Sequence, residues 1–332
     1  MRFPLSLDLS LIAYLIEKRL QRQEKFPLVL MLEPTHLCNL ACQGCGRILE
    51  YRETLGQMMS LEECLTSVAE CGAPVVTVTG GEPLLYPPVF ELIQELIHRR
   101  KHIYLCTNGL LLEKSLPKLP VSNYLTLSVH LDGLAPTHDL IVGRPGVFDQ
   151  AIKAIKAAKR QGFQVCTNTT IYKQTDVQEI EILFAYLTQL DIDGLLASPA
   201  FSFEGVSPEL FLSREEIKEK FTRLTDDVHH FKFYDSPLYL QFLRGEREYQ
   251  CTPWANPTRN PKGWRSPCYQ LMDAHYPTYE EFMTRTEWER YGVGRDRRCQ
   301  QCMMHSGFEP TVVRTLGKDL KDLWEMLRWN IS

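Results

Sequence analysis

Three things are scarce in this chain of 332 residues, and each scarcity removes a class of function. No stretch approaches the ~20 consecutive apolar residues of a membrane-spanning helix, so none is expected. Positive charge is not in excess: 37 Lys and Arg face 41 Asp and Glu, a net charge of −4, which leaves no basic footprint for nucleic acid. The N-terminus lacks the apolar core and small-residue cleavage site of a secretory signal. What the chain does have is 44% apolar and 23% charged residues, a globular composition with length enough for a large core. Its eleven cysteines do not resemble a small disulfide scaffold and fit a reducing, cytoplasmic setting.

Three of those cysteines stand in C-N-L-A-C-Q-G-C, as Cys38, Cys42 and Cys45. Thiolates are soft ligands for iron–sulfur clusters and zinc. A structural zinc needs four donors, and the nearest further one, His36, is only two residues from Cys38. Three thiols on a short loop suit three irons of a [4Fe–4S] cube, with the fourth iron left open to a small molecule. A second motif, Gly80-Gly81-Glu82-Pro83, follows the apolar run Val75–Thr79 directly; alone it would be a tight turn after a strand.

The triplet and G-G-E-P, in this order, resemble the radical S-adenosylmethionine (SAM) superfamily. That resemblance implies a [4Fe–4S] cluster on Cys38, Cys42 and Cys45, SAM on its open iron, and an external electron donor of flavodoxin or ferredoxin type. It also implies that Gly80 and Gly81 let the backbone approach the methionine moiety and that Glu82, with Pro83 beside it, accepts from the ammonium.

Hydrophobic periodicity gives six strands alternating with helices: Leu28–Leu32, Val75–Thr79, His102–Cys106, Leu125–Leu131, Gln164–Thr170 and Gly194–Ser198. Ser60 and Glu63 form a capping box for a helix that Gly72 ends, and further helices are expected over 89–100, 147–161 and 177–190. Right-handed crossovers then make a parallel sheet. Active sites of such barrels lie at the C-terminal rim, where Asn108, Ser128, His130 and Asn168 become candidates for binding ribose or carboxylate. Six units match the incomplete (βα)6 TIM-type barrel that the resemblance implies; no clean β–α pair follows Pro199 to build eight.

Before the barrel, residues 1–26 carry a helical stripe of Leu5, Leu9, Ile12, Ile16 and Leu20 with a basic end. The stripe suits a helix packed on the barrel, or an interfacial helix on the inner face of an anionic membrane. The barrel is expected over 27–205 and a C-terminal extension over 206–332. Four prolines in C-T-P-W-A-N-P-T-R-N-P-K-G-W-R-S-P-C exclude a regular helix or central strand between Cys251 and Cys268. Cys251, Cys268, Cys299 and Cys302 form a candidate second site for zinc or an auxiliary cluster, set against the reading of cysteines as small core hydrophobes.

Further stretches, P-L-V-L-M-L-E-P, Y-L-C-T-N, S-V-H-L-D-G and C-T-P-W-x-x-P-T-R-N, resemble the hopanoid-biosynthesis branch, the adenosylhopane synthases. Membership there implies adding the 5′-deoxyadenosyl radical to the exocyclic double bond of diploptene, a triterpene hydrocarbon. Such an addition leaves a tertiary carbon radical that needs a hydrogen atom, and the resemblance implicates the Cys of Y-L-C-T-N, Cys106, as its donor. Ser306 departs from the pattern, which would carry a further Cys. The alternatives are a radical SAM enzyme that modifies a peptide or cofactor, and a non-catalytic metal-binding protein.

Overall fold

The computed structural model describes residues 3–202, 206–226, 230–317 and 319–331, and of Ile48 the backbone alone. Helix α1 (Leu5–Leu20) precedes β1 (Val29–Thr35), which runs into the cysteine loop and the short α2 (Gly46–Glu50). The repeating units follow as α3 (Leu61–Cys71), β2 (Val75–Gly80), α4 (Val89–His98), β3 (His102–Thr107), α5 (Leu112–Ser115) and β4 (Leu125–His130). Then come α6 (Ala135–Val142), α7 (Val147–Arg160), β5 (Gln164–Ile171), α8 (Val177–Gln189) and β6 (Gly194–Pro199). All six expected strands are present, paired in parallel from β1 to β6. The α/β architecture is that of an incomplete barrel with an appended extension.

Alternation along these strands sorts two chemistries. Val76, Val78, Ile103, Leu105, Leu125, Leu127, Val129 and Val165 are all within 1% of full burial and pack beneath the helices. Each such side chain contributes about 1.5–3 kcal/mol on burial. The other face carries Thr77, Tyr104, Cys106, Ser128, His130 and Asn168, so the lumen is polar. Local signals hold as read: Ser60 and Glu63 cap α3 reciprocally, at 3.1 and 2.7 Å, and Gly72 ends it at φ +69°.

Beyond β6 lie α9 (Arg214–Leu224), α10 (Pro237–Leu243), β7 (Thr258–Asn260), β8 (Gly263–Pro267), β9 (Met272–Tyr276), α11 (Tyr279–Arg285), α12 (His305–Thr315) and α13 (Leu320–Ile331). One nine-stranded sheet results, in the order β6-β5-β4-β3-β2-β1-β7-β8-β9. Strand β7 pairs in parallel with β1, and the antiparallel β8 and β9 follow. The expected exclusion of a central strand from the proline-rich stretch is thereby overturned. Only three residues are needed for β7, and Pro257 and Pro261 fall just outside it.

Helix α1 does pack on the domain, but not through its stripe. It packs through Leu7 and Leu15, while the stripe Leu5, Leu9, Ile12, Ile16 and Leu20 lies 44–80% exposed. Its neighbour α13 runs antiparallel: Phe3 N–H and the Asp8 carboxylate meet Asn330, and Arg19 reaches the carbonyls of Arg314 and Leu316. Leu320, Trp324, Leu327 and Ile331 of α13 are likewise 46–80% exposed. Among the described residues no helix is long and apolar enough to cross a membrane.

Candidate active site

The cysteine loop is clamped by the rim of the sheet. Glu82 N–H donates to Leu37 O at 2.8 Å, Asn108 Nδ2 to Asn39 Oδ1 at 2.7 Å, and Gln43 N–H to Ile141 O at 2.9 Å. Gly81 is required by contact: a Cβ there would sit 2.1 Å from Leu37 O. Gly80 is required twice, by φ +113° and by Thr35 O at 2.5 Å from any Cβ. The G-G-E-P turn is therefore the seat of the loop as well as its neighbour.

Cys38, Cys42 and Cys45 are half-buried, unpaired and near enough to feel one another's charge. Burial pushes the Cys38 and Cys42 thiols up, and the neighbouring cysteines add to it. Sulfurs so placed fit a cationic metal cluster, the soft partner that would favour their thiolates. His36 does not join them. It stacks on Tyr51 at 3.7 Å, and among the described residues no His–Cys group lies within ligating distance.

Glu82, 1% exposed, is already committed: Oε1 accepts from Leu84 N–H and the Thr107 hydroxyl, and Oε2 from Asn108 N–H, at 2.9–3.0 Å. It ties the turn, with buried Pro83, to the end of β3. Burial raises its pKa, which these donors partly offset. The remaining lone pairs are what it could offer to a SAM ammonium.

Cys106, Ser128 and Cys166 stand in register across β3, β4 and β5. Burial pushes the Cys106 thiol up to about 12, against hydrogen bonds with Ser128 and Thr79. Ser128 also bonds Cys166. The register puts the Cys106 and Cys166 thiols level across the sheet, although Cys166 is fully buried and Cys106 is not. One step further up, His130 pairs in register with Asn168 and bonds Asp132 at 2.8 Å. Burial alone would lower the His130 pKa; Asp132 outweighs it, and the net shift is upward.

Several residues escaped the sequence reading. Asp132 is fully buried and also accepts from Thr170 N–H at 2.7 Å. Arg47 joins Glu33 at 3.1 Å and Tyr269 O at 2.8 Å. Arg265 grips Glu50 with two bonds, of 2.7 and 3.0 Å. Asp235, His305 and Glu309 gather with ligand atoms within 4.8 Å of one another, brought from two distant segments that carry no common motif. Cys251, Cys268, Cys299 and Cys302, although up to 51 residues apart in sequence (302 − 251), line one pocket.

Comparison with known proteins agrees with the geometry. Residues 32–187 match the radical SAM superfamily model, and residues 195–326 match a family described as a domain of unknown function (DUF3463). A GTP 3′,8-cyclase of Alkaliphilus metalliredigens is 33% identical over 217 residues, 61% of this chain and 68% of that protein. An AdoMet-dependent heme synthase of Methanosarcina barkeri is 32% identical over 49% of this chain and 48% of its own length. The chain thus spans about half to two-thirds of the curated relatives it matches. In fold it is similar to Streptococcus suis SuiB bound to precursor peptide SuiA, with TM-score 0.65, 17% identity and coverage of 88% and 73%. It is also similar to anSMEcpe with bound AdoMet and a peptide, with TM-score 0.59, 18% identity and coverage of 92% and 97%. A three-cysteine loop seated on a G-G-E-P turn at the mouth of a partial barrel, matched over residues 32–187 by the superfamily model and over 61% of the chain by the cyclase, makes this chain a member of the radical SAM superfamily.

Proposed function

We propose that this chain adds the 5′-deoxyadenosyl group of SAM to the exocyclic double bond of the triterpene hydrocarbon diploptene, forming adenosylhopane. The observation that carries this reading is Cys106, a protonated thiol facing the lumen on the same sheet as the cluster loop's seat. Bound to Cys38, Cys42 and Cys45, a [4Fe–4S] cluster with SAM would supply the 5′-deoxyadenosyl radical after one-electron reduction.

The chain's own part begins with exclusion of water and with placement. Gly80 and Gly81 bring backbone close to the loop, and Asn108, His130 and Asn168 offer polar contacts at the rim. When the radical's carbon bonds to the terminal alkene carbon, the unpaired electron passes to the tertiary carbon. The Cys106 S–H bond then breaks and a C–H bond forms, which leaves a sulfur radical. A second electron from the donor protein, with one proton, restores the thiol. The balance is one SAM, one alkene, two electrons and one proton in, with methionine and the saturated adduct out.

Two neighbouring helices with exposed apolar stripes, α1 and α13, support a substrate that resides in a membrane. The polar lumen and the relatives' names favour a second reading, modification of a cofactor or peptide. One experiment separates them: anaerobic turnover of reconstituted, dithionite-reduced protein with SAM and diploptene, analysed by mass spectrometry. An adenosylated C30 product is expected. SAM cleavage indifferent to the hydrocarbon, with no adduct, would overturn the assignment.

A further inference from the structure

Asp235, His305 and Glu309 come from two segments that both lean on β6. Tyr234 N–H donates to Leu195 O at 2.7 Å, which lays the run before Asp235 along that strand, and Asp235 Oδ2 accepts from Ala197 N–H at 2.8 Å. From the other side His305 opens α12, its N–H donating to Ser198 Oγ at 3.1 Å. Glu309 follows one helical turn later, so both side chains project from the same face of α12. Among the described residues no other group of three His, Cys, Asp or Glu side chains gathers its donor atoms within 4.8 Å of one another.

What the group lacks is a positive partner. Asp235 is fully buried, and its Oδ1, aimed at the other two residues, has no hydrogen-bond partner. His305 Nε2 stands 3.6 Å from that oxygen, beyond hydrogen-bond reach. Burial pushes the Asp235 carboxyl far above the usual carboxylate range, and the Glu309 charge adds to it. Two carboxylates so placed need compensation, by protons or by a cation. Geometry separates these. A shared proton draws two carboxyl oxygens to about 2.5–2.7 Å, whereas Asp235 Oδ1 makes no hydrogen bond to Glu309 or to anything else. Donors bound at about 2.0–2.2 Å around a tetrahedral cation lie about 3.3–3.6 Å apart, which is the spacing of Asp235 Oδ1 and His305 Nε2. The outer contacts suit ligands as well: Ala197 N–H orients Asp235, and Ser236 N–H lies 3.3 Å from both Glu309 oxygens.

We propose that Asp235, His305 and Glu309 bind one divalent first-row cation, of the manganese, iron or zinc class, and that this cation ties α12 and the 231–236 run to the end of β6. Two negative charges match a divalent ion. The imidazole argues against calcium and magnesium, which take oxygen, and the missing thiolate against copper(I). His305, whose side chain is 33% exposed, gives the ion its way in. Without the cation, protons take its place on the carboxylates. The site is independent of what the barrel's radical attacks.

Manganese(II) is the probe, because its preference for oxygen and nitrogen keeps it off the eleven thiols. The full chain, reconstituted with iron and sulfide and then freed of loosely held metal, is titrated with manganese chloride while electron paramagnetic resonance counts the free ion. About one ion per chain should bind and raise the unfolding temperature. Asp235→Asn and Glu309→Gln should each weaken binding at least tenfold, and His305→Gln should erase the nitrogen coupling that pulsed resonance reads on the bound ion. No binding, or binding unchanged in all three variants, would overturn the site. Should the variants fail to fold, the unsubstituted chain still decides: manganese coupled to an imidazole nitrogen supports the proposal, and manganese held by oxygen alone refutes it.

Discussion

At the scale of single residues, the proposed addition depends on a thiol that must keep its proton. Cys106, held near 12 by burial, stays an S–H donor at any working pH. Cys106→Ala should leave SAM cleavage intact and diminish the saturated product at least tenfold, with an alkene or other misdirected product in its place, read by mass spectrometry. Unchanged product would move the hydrogen source elsewhere. Gly81→Ala should cost more than a glycine usually does, because its Cβ meets the Leu37 carbonyl. Iron retention by the reconstituted variant, compared with Gly56→Ala in open space, measures how far the cysteine loop has shifted. A third residue sets a pH dependence. Burial raises Glu309 from 4.5 to about 7, despite donors from Ser236. Its neutral form is favoured in the fold, so its stabilisation is full below pH 4.5 and is lost as pH rises through 7. Chemical denaturation at pH 5 and pH 8 should show a loss of up to about 3 kcal/mol that Glu309→Gln lacks.

At the scale of elements, much was legible where local chemistry sufficed. Ser60, Glu63 and Gly72 bound α3, and alternation in L-T-L-S-V-H marks β4, because capping and strand period act within a few residues. Two elements misled for opposite reasons. Strand β7 is three residues between prolines, too short for any periodicity, and exists because β1 offers it an edge. Helix α1 has a clear stripe, but Leu7 and Leu15 off that stripe make the contacts, and Ser10 bonds His102. An amphipathic pattern shows that a face is apolar without saying what covers it. Replacing Leu9 and Ile16 with Glu should abolish flotation with anionic vesicles while shifting thermal stability little, as exposed sites do. Vesicle binding equal to the unsubstituted chain would reduce the stripe to an unused surface.

At the scale of the whole molecule, the extension is joined to the barrel through a buried ionic core. Arg265, fully buried, holds Glu50, the Tyr51 hydroxyl and the carbonyls of Gln270 and Leu271. Removing it takes both short bonds from Glu50 and leaves that carboxylate only Arg47, at 3.4 Å, so Arg265→Ala should destabilise the fold by about 3–5 kcal/mol in denaturant titration, and Arg265→Lys by less. No motif announced this link, since its partners lie 215 residues apart and each is an ordinary surface type in sequence. The cysteine loop and G-G-E-P were readable because their chemistry is confined to adjacent residues. What seats them is scattered, and only the fold collects it.

The pairing of Met31 with Thr258 fixes an order of events during synthesis. At the ribosome's pace of about 5–20 residues per second, the second edge of β1 stays bare for about 10–45 s after β1 itself is made. Over that interval the nascent barrel presents an open strand beside three free thiols, a template for pairing with other chains. Expression at high rate should therefore drive aggregation through β1, and slower synthesis, or a co-expressed chaperone that covers strand edges, should raise the yield of folded protein.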